Sequence, residues 1–456
     1  MAKERKPTVE VLTVDRDEAE LARMGYKQEL KRNFGMMKVG QVAVTAGIGF
    51  GCATFISTVC AYGTSFEPTP RTTIGIFAGV LYSQALTNTF GTDLLPYIND
   101  VSVCFHAFGT MSIIIAILAK APVHQSASFV FTRFIDNTGV DGEVGWGVRA
   151  SNAYVVIVGI LLAQYTLLGY DSSAHLIEET HNAAMAGSVS IIMAIAVSAA
   201  LGWFLILGLL FSMQDLEGTV NSETGLPVMQ IFLDTLGRNG AFAAMAVVIC
   251  CMYLCGTFSM TSNSRMIYAF ARDGGVPGHK FFNYVSPRWK SPLRTVWLSC
   301  TLSFILGLPS LGSEVAFAAA TSIATIGLYI SYAIPIALRV IYHDRFVRGP
   351  FHLGKFSYPV AVVSVCWIIF ITVAFIIPQI NPVNSQTFNY ASVAVAVVSA
   401  YSVWFWLLSA RKWFTGPVRH VDHDAVLGEL ESDTTGSTAE EEQSTSAEKE
   451  ASGDKL

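Results

Sequence analysis

The sequence predicts an all-α membrane protein of about ten transmembrane helices. Of its 456 residues, 52% are hydrophobic and only 14% charged, with a mean hydropathy of +0.47, whereas a soluble domain carries about 25% charged residues. The apolar residues also gather in runs of about 20, the length a helix needs to cross ~30 Å of hydrocarbon. Ten such windows lie near 39–62, 72–91, 97–119, 152–170, 187–212, 240–263, 293–311, 315–340, 358–378 and 389–410. They imply three regions: a cytoplasmic segment over 1–38, a transmembrane domain over 39–410, and a cytoplasmic tail over 411–456.

Residues 1–38 are polar and hold no cleavable leader, so the first span is expected to start insertion without being removed. The second window is the weakest, because GVLYSQALTNTFGTD mixes in Ser, Gln, Asn and Thr. Asp100 and His106 are the titratable side chains of the third window apart from Lys120 at its end. Ionisable groups inside a span are functional by default, but Asp100 follows Asn99 near the start of the span, where interfacial solvation competes with a coupling role. The fourth window is clearly apolar only from Tyr154 to Leu168, short for a crossing, and is then interrupted by Gly169, Tyr170, Asp171, Ser172 and Ser173. A short, Gly-interrupted span is the pattern of a broken helix whose exposed backbone meets a polar ligand at membrane depth. The competing reading is a plain helix end at Gly169, with Asp171 at the interface. After the sixth window, NSRMIYAFARDGGVPGHKFF reads as an Arg-rich helix end closing in a tight turn. Glu314 marks the start of the eighth span.

Basic residues set the orientation, since cytoplasmic loops hold the excess. With the N-terminus inside, 24 of the 29 Lys and Arg residues fall in inner segments and five in outer ones. Both termini are therefore expected on the cytoplasmic side. From Val421 to Leu456 there are eleven acidic residues and two Lys, and this Ser/Thr/Glu-rich stretch is too poor in aliphatic residues to bury a core. The eight Cys all lie in apolar runs with no metal or redox spacing, and nine scattered His make no cluster, so no metal and no cofactor is expected. Nothing in the charge pattern suggests nucleic acid, and no Ser/Lys, paired-Asp or His-cluster arrangement suggests an intramembrane enzyme.

Two long motifs resemble the amino acid-polyamine-organocation (APC) permease superfamily. GYDSSAHLIEETHNA is similar to that family's sixth-helix signature, and NSRMIYAFARDGGVP to its signature after the eighth helix. ATSIATIGLYISYAIPIALRV and SARKWFTGPV are similar to the subgroup of plant and fungal bidirectional amino acid, GABA and choline permeases, and the resemblance spans roughly residues 22–419. It implies an APC/LeuT-like inverted-repeat fold, here lacking the first two helices, because GYKQELKRNFGMM resembles the lead into the first helix while the stretch from Lys38 resembles the third.

The resemblance implies a permease that moves amino acids or related amines (GABA, polyamine or choline-like compounds) by alternating access, in a multi-pass bilayer setting, with the plasma membrane favoured and the oligomeric state open. The alternative is a truncated, transport-incompetent isoform or gene-model product, since half of the expected pocket would be absent. By motif, Gly169, Tyr170, Asp171, Ser172 and Ser173 are the unwound, substrate-binding stretch. Tyr165 is either an aromatic that closes over the substrate or a packing residue. Glu178 and Glu179 are either an inner gate with Arg265 or Arg272, or solvated interfacial charges. Some family members place a proton-coupling Lys on the helix that carries Asp100 and His106, and this chain has none at that depth.

Overall fold

A computed structural model describes the backbone of residues 35–408 other than 141, 176–182, 223, 273, 275, 277, 312–313 and 346–348. The N-terminal segment up to residue 34 and the acidic tail lie outside the described residues, as do Glu178 and Glu179. Eleven helices organise the described residues: α1 (Gly35–Gly63), α2 (Pro70–Phe90), α3 (Leu95–Lys120), α4 (Asn152–Thr166), α5 (Ser172–His175), α6 (Ala183–Ser212), α7 (Pro227–Arg272), α8 (Leu293–Gly307), α9 (Glu314–Ile341), α10 (Ser357–Ile376) and α11 (Ala391–Leu408). Shorter helical turns lie in the connections. The described residues hold no strand, only an isolated bridge between Gly139 and Asn381.

Eight of these segments are long and apolar enough to cross a membrane. The other two windows are α2, whose composition is too polar for that criterion, and α4, which is only 15 residues long. Those are the two spans whose sequence signals were weak. Three boundaries differ from the sequence reading. The fourth span ends at Thr166 rather than near 170. The sixth begins at Pro227, is interrupted at Gly237 (φ 68°), and runs on to Arg272, so Arg265 and Arg272 stand in the Arg-rich helix end that the sequence marks. Met37 and Lys38 fall inside the continuous helix α1.

The polar residues that weakened the second window face inward. Thr69 caps α2 in a reciprocal box with Thr72, and Pro70 opens its first turn. Further along, the Gln84 amide donates to Tyr253 O at 3.1 Å, the Asn88 amide donates to Thr257 O at 3.1 Å, and the Thr261 hydroxyl donates to Asn88 Oδ1 at 2.5 Å. A Cβ on Gly256 would sit 2.5 Å from Gln84 Nε2, so that glycine is what lets α2 and α7 approach. Small residues with interhelical amide bonds are how helices associate where lipid is as apolar as the side chains.

α1 is the central element. It packs along α7 and α9 more extensively than any other helix pair, and it also meets α2 and α8. At the α1/α2/α8 junction Phe77 is fully buried, edge-on to Phe50 with ring centroids 5.8 Å apart and stacked on Phe304 at 6.1 Å. A Cβ on Gly307 would lie 2.3 Å from the Phe77 ring, so the ring occupies the space that this glycine leaves.

The 121–151 connection is tied to the one between α10 and α11. Asn381, fully buried, exchanges backbone bonds with Thr138 and Val140, takes Arg149 Nη1 at 2.7 Å, and donates its amide to Val144 O at 2.6 Å. Within this connection the Asp136 carboxylate accepts from the Thr138 hydroxyl at 2.5 Å and from the Gly147 N–H at 2.7 Å. A Cβ on Gly145 would come within 2.2 Å of that carboxylate. The Thr138 hydroxyl, joined by the Thr138 and Gly147 N–H groups, holds the Asp136 carboxyl below its usual 3.8. A depressed carboxylate stabilises the fold above its unfolded value and loses that contribution as pH falls through the folded one. Pepsin cleavage of the 121–151 connection is therefore expected to accelerate as pH drops below 3.8. In Asp136→Asn it should be fast throughout the range where pepsin acts. Equal pH profiles for the two proteins would contradict this account.

Candidate functional site

The fourth span stops because its chain cannot continue as a helix. The N–H of Leu167 still reaches Ala163 O, but that of Leu168 turns back to Tyr165 O, and Gly169 then takes φ +88°. That region is open to glycine and costs an L-residue about 1–2 kcal/mol. The chain recovers at once. Ser172 returns both its N–H (3.1 Å) and its hydroxyl (2.7 Å) to Gly169 O, Ala174 N–H bonds to Asp171 O at 2.9 Å, and α5 begins. Ser173 donates to Tyr170 O at 3.4 Å. No described residue accepts from the N–H of Gly169 or Tyr170. A Cβ on Gly169 would meet nothing nearer than Ser172 Oγ at 4.0 Å, so open space borders the break. The described helix stops at Thr166, and the four-residue helix α5 follows the turn at Gly169.

Asp171 is the charged centre of this stretch, and it is buried at 6% exposure. Its Oδ2 accepts from the Gln41 amide of α1 at 2.9 Å and from His175 Nε2 at 3.1 Å. His175 stands one turn on, at i+4, and its Nε2 lies 3.4 Å from Gln41 Nε2. Asp171 Oδ1 and the Tyr332 hydroxyl of α9 are both buried, and the hydroxyl stands close enough to the carboxylate to be its partner. Tyrosine rings wall the other side: Tyr170 and Tyr332 lie 5.0 Å apart between centroids, and Tyr329 lies 6.3 Å from Tyr332. Tyr329 donates to Gln164 Oε1 at 2.7 Å, and the Trp367 indole reaches the same oxygen at 3.3 Å, which pins α4 against α9 and α10 just before the break. Across α1, the Thr45 hydroxyl pairs with Ser259 of α7 at 2.8 Å.

The residues singled out in the sequence divide into three sets. Gly169, Tyr170, Asp171, Ser172 and Ser173 are brought together as one stretch, with Tyr165 half-buried one residue before the end of α4. Asp100 and His106 are not brought to it. Asp100 is exposed on α3, and His106 bonds Ser102 of its own helix and lines an apolar cavity of about 320 Å³ with Phe55, Leu205, Met229 and Met245. Arg265 is buried in α7 and Arg272 is its last residue, while their proposed partners Glu178 and Glu179 lie outside the described residues. Sequence reasoning missed Gln41, His175, Gln164, Tyr329 and Tyr332. His175 was legible as the i+4 neighbour of Asp171, and Tyr329 and Tyr332 as an i, i+3 pair on one helix face.

With this geometry in place, comparison with known proteins is informative. A family model described as amino acid permease matches residues 33–400. Among curated relatives, the amino-acid permease BAT1 of Arabidopsis thaliana is 39% identical over 398 residues, covering 84% of this chain and 76% of that protein. The BAT1 homolog of Oryza sativa subsp. japonica is 38% identical, covering 84% of this chain and 75% of that protein. A GABA-specific permease of Saccharomyces cerevisiae is 28% identical over 418 residues, 88% of this chain and 70% of its own length.

Proposed function

Because the chain belongs to the amino acid permease family, we propose that the interruption at 167–173 is where it holds its substrate. The protein is a multi-pass, all-α transporter of amino acids or related amines and not an enzyme. The observation that carries the site is the break itself: a positive-φ glycine, two N–H groups with no described acceptor, and a buried carboxylate. A broken helix offers a polar ligand backbone groups that a continuous helix consumes internally.

Tyr165 stands at the edge of the break, where an aromatic ring can cover a ligand. The printed name of the yeast relative supports GABA, beside α-amino acids, among the compounds to test. The 24-to-5 distribution of basic residues supports cytoplasmic termini, and the plasma membrane is the proposed location. The test is uptake of labelled amino acids and GABA by proteoliposomes, with epitope tags at Ala2 and Leu456 in cells. Saturable uptake is expected, together with tags that antibody reaches only after permeabilisation. Uptake no greater than that of empty vesicles would refute the transport reading, and tags reached on intact cells would refute the orientation.

A further inference from the structure

The cavity beside His106 holds two polar groups that no described residue satisfies. It lies between α1, α3, α6 and α7, is walled by Phe55, Leu205, Leu209, Met229, Phe232 and Met245, and measures about 320 Å³. No Asp, Glu, Lys or Arg lines it, and apart from the Cys251 thiol its polar side chains are His106 and Thr110. His106 Nδ1 stands 2.7 Å from Ser102 O. A carbonyl only accepts, so Nδ1 carries the proton and Nε2 of the neutral ring is an acceptor. With Nδ1 turned back to its own helix, the Nε2 edge is the one left to line the cavity, and no described residue bonds it. Thr110 follows one turn later, at i+4, on the same face of α3. Elsewhere helical threonines return the hydroxyl to the carbonyl four residues back, as Thr45, Thr54 and Thr261 do at 3.0 to 3.1 Å. The Thr110 hydroxyl makes no such bond among the described residues, so its proton and its lone pairs are both left to the cavity.

We propose that this cavity is a second binding site, distinct from the 167–173 break, for a neutral lipophilic alcohol. The hydroxyl of the ligand donates to His106 Nε2 and accepts from Thr110, while its apolar body fills the space among the Met, Phe and Leu side chains. One hydroxyl meets both groups because it is donor and acceptor at once. A plain hydrocarbon would leave both groups unmet in apolar surroundings, and a carboxylate or ammonium would bring charge to a wall that carries none. Water would find two polar partners here, fewer than the three a buried water typically has, and would leave the apolar volume unfilled. His106 stands near the middle of α3, at membrane depth, so the site selects compounds that dissolve in the bilayer. Met229, Met245 and Met252 give the wall unbranched, adaptable side chains that can close on bodies of different shape.

The experiment uses the purified full-length chain in nanodiscs and a decanol that carries a photoactivatable diazirine on its chain, with the labelled residues located by mass spectrometry. Decan-1-ol, decane, decanoic acid and decylamine, matched by concentration in the bilayer, are the competitors. Labelling is expected on the cavity wall, at Met229 or Met245, and decan-1-ol is expected to remove it where the other three do not. Thr110→Val keeps the shape of the side chain and removes the hydroxyl, and His106→Phe removes the acceptor. Each should weaken protection by decan-1-ol about 2- to 10-fold, the range for one neutral hydrogen bond. Thermal unfolding of each variant shows whether it is folded, and if neither is, the competitor series on the unaltered chain decides alone. Three results overturn the proposal: labelling that misses the cavity wall, a hydrocarbon, acid or amine that protects as well as decan-1-ol, or folded variants with unchanged protection. Each of them leaves the transport assignment, which uptake tests separately, standing.

Discussion

Replacing Gly169 by leucine is expected to abolish uptake per inserted molecule while the chain remains folded. The backbone at Gly169 has φ +88°, and beyond its chain neighbours the described atom nearest to where its Cβ would stand is Ser172 Oγ at 4.0 Å. Two consequences follow and differ in size. Forcing an L-residue into that region costs about 1–2 kcal/mol, too little to unfold a domain of this size. The leucine side chain, however, projects into the open space bordering the unbonded N–H groups of Gly169 and Tyr170, where the substrate is proposed to sit. It also favours a helical φ, which would carry α4 into α5 and withdraw Asp171 from Gln41. Gly169→Ala separates the two effects, because it brings the backbone strain without the bulk and should retain a measurable fraction of uptake. The measurement is labelled amino acid uptake in proteoliposomes, normalised to inserted protein. If Gly169→Leu transports normally per molecule but inserts poorly, Gly169 is structural and the site lies elsewhere.

Phe77→Ala should be the most destabilising single substitution at the α1/α2/α8 junction, by about 3–5 kcal/mol. Phe77 is fully buried, contacts the rings of Phe50 and Phe304, and fills the room left by Gly49 and Gly307. Removing the ring leaves a cavity between the Phe50 and Phe304 rings and the backbone of Gly49 and Gly307, and the two glycines have no side chain to fill it. Val363, 67% exposed on α10, is the comparison, and Val363→Ala should change stability by less than about 1 kcal/mol. Denaturant unfolding in detergent reads both. Similar midpoints for the two variants would mean that this junction is not where the bundle is held together.

The spans were legible because a helix that must cross hydrocarbon needs a long apolar run, and ten such runs stand out. The second and fourth were faint for different reasons, both informative in retrospect. Gln84, Asn88 and Thr261 spend their polarity on bonds between α2 and α7, which a hydropathy reading counts against a span. Gly169 through Ser173 interrupt the fourth run because the helix does break there, and the sequence marked that position to within a few residues. The partners of Asp171 were not legible in the same way. Gln41 at the start of a span reads as an interfacial residue, and only the packing of α1 against the break puts its amide on the carboxylate. Tyr332 lies 161 positions along the chain from Asp171, on a helix whose apolar composition predicts packing alone. Asp100 and His106 stood out as ionisable groups in a span, yet charge alone does not say which helices adjoin, and α3 keeps them away from the break.

The most direct test of the central claim is a structure of the chain with a bound amino acid or amine. The claim predicts ligand density against the backbone of Gly169–Ser173, with Gly169 still at positive φ. Ligand density confined to the apolar cavity beside His106, or a continuous helix running from Asn152 through His175, would contradict it.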